Sequence, residues 1–255
     1  ALAELRKFVD DNEAGRARLK QISAEFAHDT FMELGWDERS GESDDDRERR
    51  TAALGLMLYG EDSVALTEAK RRFDETDPDD LPAEIRPLII NANVRQFETP
   101  EMIDKLFTIY QNTPSADLQV DIALSLTSTK NPATTEQILT AIKDTTIIRP
   151  QDASRWFIYL IRTRENRQIA WNWLKENWSW VKDTFGGDKS YDTFIRYAAS
   201  ALLTRDELND FTEFTTPLRA EPALTRTIDL GIREIAGRVA LIERDQAAVI
   251  DALNK

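Results

Sequence analysis

The chain has 255 residues, 41% hydrophobic and 31% charged, with a formal net charge of -13 and no cysteine. That is an ordinary globular composition, sized for one large domain or two small ones, and the missing thiols exclude disulfides, thiolate nucleophiles and thiolate metal sites. The acidic balance argues against a nucleic-acid partner, which needs a basic face, and no apolar run approaches the ~18 residues of a membrane span.

Taken in order, the predicted elements are helices. In "QISAEFAHDTF" the single histidine, His28, points away from the apolar side of its helix, so an exposed position is expected. A lone imidazole cannot build a zinc site that needs two, and no partner for a Ser/His or Cys/His pair stands out. Residues 41–50, with Glu42, Asp44, Asp45 and Asp46, read as a polar loop, and Asp77 to Asp80 as another. "GLMLYGED" lacks the Lys-Ser/Thr of a phosphate-binding loop. Arginine clusters at Arg47 to Arg50 and Arg162 to Arg164 read as salt-bridged helix surface.

Thr99-Pro100, Thr113-Pro114 and Asn131-Pro132 each place a side-chain oxygen at an N-cap and proline at the first helical position. Thr204 and Glu207 form a capping box. Gly186-Gly187 ends one helix, and Ser190 is placed to cap the next. Apolar residues between these marks recur at helical spacing, as in Met102, Leu106, Ile109 and Tyr110, while clean strand alternation is missing. The fold class is all-α. About a dozen helices on short connections suit an α-solenoid of antiparallel pairs, HEAT-like with degenerate repeats, better than one central core. Nothing marks a domain boundary, so residues 1–255 read as a single domain.

The most biased stretch is "IAWNWLKENWSW", residues 169–180, with four of the six tryptophans. At 100° per residue, Trp171, Leu174 and Trp178 share one stripe of a helix, and Trp173 and Trp180 a second about 200° away. A helix apolar on opposite faces is packed on both sides, so the rings are expected mostly in the core.

Around this stretch the chain resembles the C-terminal helical domain of zinc aminopeptidases of the aminopeptidase N family, in its bacterial members. The matching positions are Ile148, Arg149, Gln151, Asp152 and Ala153, then Ala170, Trp171, Trp173, Asn177, Trp178 and Phe185. Two departures stand out. Asn166, the next best residue for a left-handed helix terminus, replaces the usual Gly, and Gly237-Arg238-Val239 lies where the family often has Trp. The family's His-Glu-x-x-His and Gly-x-Met-Glu-Asn motifs do not occur in the chain.

The resemblance implies that zinc and the catalytic domains belong to the N-terminal part of the same polypeptide, with a peptide as substrate. It further implies no chemistry, cofactor or metal ligand on this segment, while the absence of cysteine suits a cytoplasmic location. The segment would cap the active site and gate peptide access. Arg149, Arg155 and Arg196 are then candidates to contact the peptide, because guanidinium groups donate paired hydrogen bonds to a carboxylate. A free-standing helical-repeat scaffold, binding a protein partner on its concave face, is the alternative.

Overall fold

A computed structural model describes residues 2–255, and among them are fourteen α-helices and no strand. The helices fall into two compact units. One comprises residues up to Leu126 together with Ala247–Lys255, and the other comprises Thr127–Gln246.

In the first unit, α1 (Leu2–Leu5) and a 3₁₀ turn (Arg6–Phe8) lead into α2 (Glu13–Leu34), α3 (Asp44–Tyr59) and α4 (Ser63–Glu75). A second 3₁₀ turn (Pro78–Asp80) precedes α5 (Arg86–Phe97), α6 (Pro100–Asn112) and α7 (Ala116–Leu126). Packing is mostly between neighbours in sequence: α2 on α3, α3 on α4, α4 on α5, and α6 on α7, with α5 also against α7. Side-chain caps start these helices. The oxygens of Asn12, Ser43, Asp62 and Thr99 accept from backbone N–H groups two or three residues into each first turn, meeting donors that have no partner inside the helix.

Three sequence expectations change here. The polar stretch 41–50 is loop only as far as Ser43, which caps α3, and its aspartates occupy that helix's first turn, where the helix dipole favours negative charge. Residues 77–80 make the 3₁₀ turn and not an open loop, and Pro78 is buried. Thr113 does not start α7. It terminates α6, and the Ser115 hydroxyl accepts from the Leu118 N–H at 3.2 Å.

Arg50 is also unlike its neighbours. Arg47 and Arg49 pair with acids at the surface, whereas Arg50 is buried and forms an ion pair with Glu42. Its Nε also donates to the Leu34 carbonyl at 3.4 Å, so one guanidinium holds both ends of the 35–43 loop. A second, partly buried pair, Arg86 Nε to Asp121 Oδ2 at 2.7 Å, ties α5 to α7.

The second unit contains α8 (Pro132–Lys143), α9 (Pro150–Arg162), α10 (Arg167–Glu176), α11 (Trp178–Phe185), α12 (Asp192–Ala201) and α13 (Arg205–Thr215), followed by a 3₁₀ turn (Pro217–Ala220) and most of α14 (Pro222–Leu253). Helix α9 packs against α8, α10 and α12, and α10 against α8, α11 and α12. Asn131 caps α8, and Thr204 with Glu207 completes the expected capping box on α13.

The glycine pair ends α11 as expected, with Gly186 at the C-cap, but without a left-handed turn at that residue. Gly186 follows α11 in right-handed conformation at φ -70°, and the left-handed residue is Lys189 at φ 64°. Ser190 does not cap α12. Its N–H and hydroxyl donate to Asp188 Oδ1 at 3.0 and 2.7 Å, a local aspartate turn that competes with capping.

Two glycines of α14 have opposite surroundings. A Cβ on Gly231 would stand 2.9 Å from the Ala199 Cβ and 3.0 Å from the Phe211 Cζ, while one on Gly237 would meet nothing within 4 Å. Gly231→Ala should therefore overpack the unit and cost about 1–3 kcal/mol. Gly237→Ala should add about 0.5–1 kcal/mol by restricting the unfolded chain. Urea midpoints moving in opposite directions would verify the pair, and equal shifts would contradict it.

Candidate functional site

The Ile-Arg-x-Gln-Asp-Ala segment is the start of α9. Arg149 holds the N-cap position, Pro150 follows it, and Asp152 lies in the first turn, where the helix dipole suits its charge. Ile148 and Ala153 flank this turn, both fully buried, and anchor it to the core. Arg149 folds back on Asp152, its Nε and one terminal nitrogen each 3.0 Å from Oδ2. Arg155 approaches the other carboxylate oxygen at 3.9 Å. Thus the structure brings Arg149, Asp152 and Arg155 together, with both guanidiniums about half exposed and Gln151 exposed beside them.

Arg196 is not part of that group. It projects from α12, exposed, 5.8 Å from the ring of its neighbour Tyr197. The same ring carries Arg162, from the end of α9, at 5.0 Å. Sequence reading did not single out Tyr197 or treat Arg162 as more than surface. Their association depends on α9 lying against α12.

The tryptophan segment is not one helix. It breaks at Asn177, which ends α10 and precedes α11 at φ -107°, ψ 17°. The Asn177 side chain explains the break. Its Nδ2 donates to the Trp173 carbonyl at 2.9 Å, and its Oδ1 accepts from Lys143 Nζ at 2.8 Å, an alternative to continuing the helical ladder.

The two expected aromatic stripes persist as two separate clusters. In one, Trp171 stacks on Phe211 at 5.7 Å and meets Phe214 edge-on at 5.4 Å, and Phe214 in turn meets Trp178, which meets Tyr191. The other closes into a ring of contacts, Trp173 to Phe157 to Phe194 to Phe185 to Trp180 and back to Trp173, with centroids 5.0–6.2 Å apart. Trp171, Trp173 and Trp178 are buried and Trp180 is partly so. Such edge-on and offset pairs stabilise by roughly 0.5–1.5 kcal/mol each beyond burial. The indoles are core, joining α10 and α11 to α9, α12 and α13.

Polar groups that sequence reading missed finish this joint. Trp171 Nε1 donates to Asp210 Oδ2 at 2.7 Å, and Lys175 Nζ donates to the same oxygen at 2.6 Å. Asn166 is not left-handed; it sits at φ -103°, ψ -13°, fully buried. Its Nδ2 donates to the carbonyls of Thr127 and Thr129 at 3.0 and 3.1 Å, and its Oδ1 accepts from the Thr135 hydroxyl at 2.7 Å. The residue is there for its amide, not for its backbone. Arg238, one of the departures from the family pattern, donates through Nη1 to the carbonyls of Ala199 and Leu202 at 3.0 and 2.6 Å, closing the end of α12. Burial draws its pKa below the usual arginine value.

The chemistry these groups could perform is limited. His28 is more than half exposed and lies 3.3 Å from Asp29. Among the described residues no three His, Cys, Asp or Glu side chains converge as metal ligands would. A general acid near neutral pH needs a carboxyl pushed upward. Glu68, bonded by Arg71 and Arg72, is instead drawn down to about 2, and Asp37 is lowered by Arg72. What the second unit offers is exposed guanidiniums on rigid helices.

The sequence matches a known family along nearly the whole chain: residues 1–237 match the ERAP1-like C-terminal domain, and the chain belongs to that family. It is 33% identical over 255 residues to aminopeptidase N of Lactobacillus helveticus, covering 99% of this chain and 30% of the relative. Aminopeptidase N of Lactococcus lactis subsp. lactis is 29% identical over 254 residues, again 30% of its length. Aminopeptidase M1-A of Oryza sativa subsp. japonica is 26% identical over 246 residues, or 91% of this chain and 27% of the relative. The chain thus spans under a third of these relatives and corresponds to the C-terminal domain of aminopeptidase N-type proteins. No helix among the described residues is long and apolar enough to cross a membrane.

Proposed function

We propose that this chain is the C-terminal domain of a zinc-dependent, cytoplasmic peptide hydrolase that removes N-terminal residues, and that it controls how peptides reach a catalytic centre on other domains of the same polypeptide. The observation that carries this reading is a match over 99% of the chain to 30% of an aminopeptidase N. Zinc in the catalytic part would activate a water as nucleophile. Residues 1–255 act as one domain in this reading, and the two aromatic clusters hold the helices of the second unit together. Its task is to exclude folded proteins and to hold the far end of a bound peptide. Arg149 and Arg155, oriented by Asp152, and Arg196 on α12 contact the peptide's carboxylate or its carbonyl groups.

The test uses the whole polypeptide. Arg149→Ala/Arg155→Ala and Arg196→Ala should raise KM for peptides of eight to ten residues about 5- to 20-fold, given ~1–2 kcal/mol for exposed charge-assisted hydrogen bonds. Turnover of a dipeptide should stay unchanged. Equal loss on long and short substrates, or no loss, would contradict the contact role. Purified residues 1–255 alone should release no N-terminal amino acid, with or without zinc, and clear turnover would overturn the assignment.

A further inference from the structure

The last residues of the chain fold with the first. Helix α14 begins in the second unit, but Ala247–Lys255 belongs to the first. There Leu253 joins Val9 and Leu19 in a buried apolar cluster, with Leu5, Val249 and Ile250 packed around it. Val249, Ile250 and Leu253 share one helix face by their spacing. The Leu253 carbonyl, one of the last four of α14 and so without a partner inside the helix, accepts from Arg18 Nε at 2.9 Å. A guanidinium there also suits the negative end of the helix dipole. The seat therefore reads two features of its occupant, an apolar face and a helix C-terminus.

The entry segment, residues 2–12, shares this seat. Its 3₁₀ turn lays the Arg6 guanidinium 3.8 Å over the ring of Tyr59. Val9 reaches Gly15 so closely that a Cβ there would stand 2.8 Å from the Val9 Cγ1. A short irregular segment of this kind is poorly ordered unless something ties it down. Here Val9 and Leu5 of the segment pack with Leu253, which is itself bonded to Arg18, 235 residues away from it. Leu253 also lies outside the family match, which ends at residue 237.

We propose that Ala247–Lys255 is a latch: it occupies an apolar seat formed with Leu19 of α2, is held there by Arg18, and keeps the entry segment folded. Removing Ala247–Lys255 releases residues 2–12 without unfolding the second unit. Where a domain precedes residue 1, the latch stiffens the junction to it. The latch does not depend on the gating role proposed above.

Amide hydrogen exchange on the 255-residue chain tests this, against Leu253→Asp and a chain ending at Gln246. Residues 5–9 and the first half of α2 should exchange at least about tenfold faster in both variants, while α9 to α12 stay within about twofold. A synthetic peptide of residues 240–255 should restore the protection of the shortened chain. Unchanged exchange at residues 5–9, equal acceleration in α9 to α12, or failure of the peptide to restore protection would each overturn the latch. If the shortened chain does not fold, Arg18→Gln decides, because it keeps the apolar contacts and removes the guanidinium bond to Leu253. It also removes a half-exposed ion pair to Glu25 at 3.6 Å, and Glu25→Gln alone serves as the control for that second loss. About threefold or greater acceleration at residues 5–9 supports the latch, and unchanged exchange rejects it.

Discussion

Replacing Trp171 by alanine should lower the unfolding free energy by about 3–5 kcal/mol, the range for deleting a large buried ring that its surroundings cannot refill. Trp171 has no exposed surface and touches Phe211 and Phe214 on α13, so the loss falls on the joint between α10 and α13. Trp171→Phe separates packing from hydrogen bonding. It keeps most of the ring contacts but deprives Asp210 of the indole donor, leaving Lys175 as the partner at 2.6 Å. Because Asp210 is partly exposed, water can replace that donor, and the cost should be about 1–2 kcal/mol. Urea unfolding followed by near-ultraviolet circular dichroism measures both. A Trp171→Ala cost below about 1 kcal/mol would mean the indole is not core. Trp180→Ala, at a partly buried site, should cost less than Trp171→Ala.

Arg50→Met should be about as severe, at roughly 3–5 kcal/mol, for an electrostatic reason. Its partner Glu42 is 3% exposed, so removing the guanidinium leaves a carboxylate with neither water nor a counter-ion. The Leu34 carbonyl loses a donor as well, and the 35–43 loop loses the group that joins its ends. Proteolysis within residues 36–42 should accelerate. The double variant Arg50→Met/Glu42→Leu should recover much of the loss, because a buried ion pair exchanged for apolar groups is often near neutral. A double variant no better than Arg50→Met would show that the pair itself, and not the stranded charge, supplies the stability.

The residues behind these two predictions were not equally legible. Trp171 could be assigned to the core from spacing alone, since 100° per residue separates Trp171 and Trp178 from Trp173 and Trp180, and the structure keeps those pairs in different clusters. Arg50 could not. It lies in a run of charges whose other members are at the surface, and only the return of the 35–43 loop buries it. The same division holds for the peptide-contact candidates. The Arg149–Asp152 pair is three residues apart on one helix and follows from sequence. The setting of Arg196 beside Tyr197 and Arg162 requires α9 against α12.

The sequence by itself determined the helices and most of their starting points. A cap such as Thr99, Asn131 or Thr204 bonds a backbone N–H two or three residues on, and that contact exists wherever the helix does. It also pointed to the family, through an aromatic and Arg-Gln-Asp pattern, and the family match over residues 1–237 agrees. Tertiary structure alone decided the roles of Asn166, Asn177 and Leu253. Their partners lie 31 to 39, 34 and 235 residues away, and no local preference encodes a contact at that distance. Whether a buried amide or carbonyl has a partner is settled only when helices from distant parts of the chain meet.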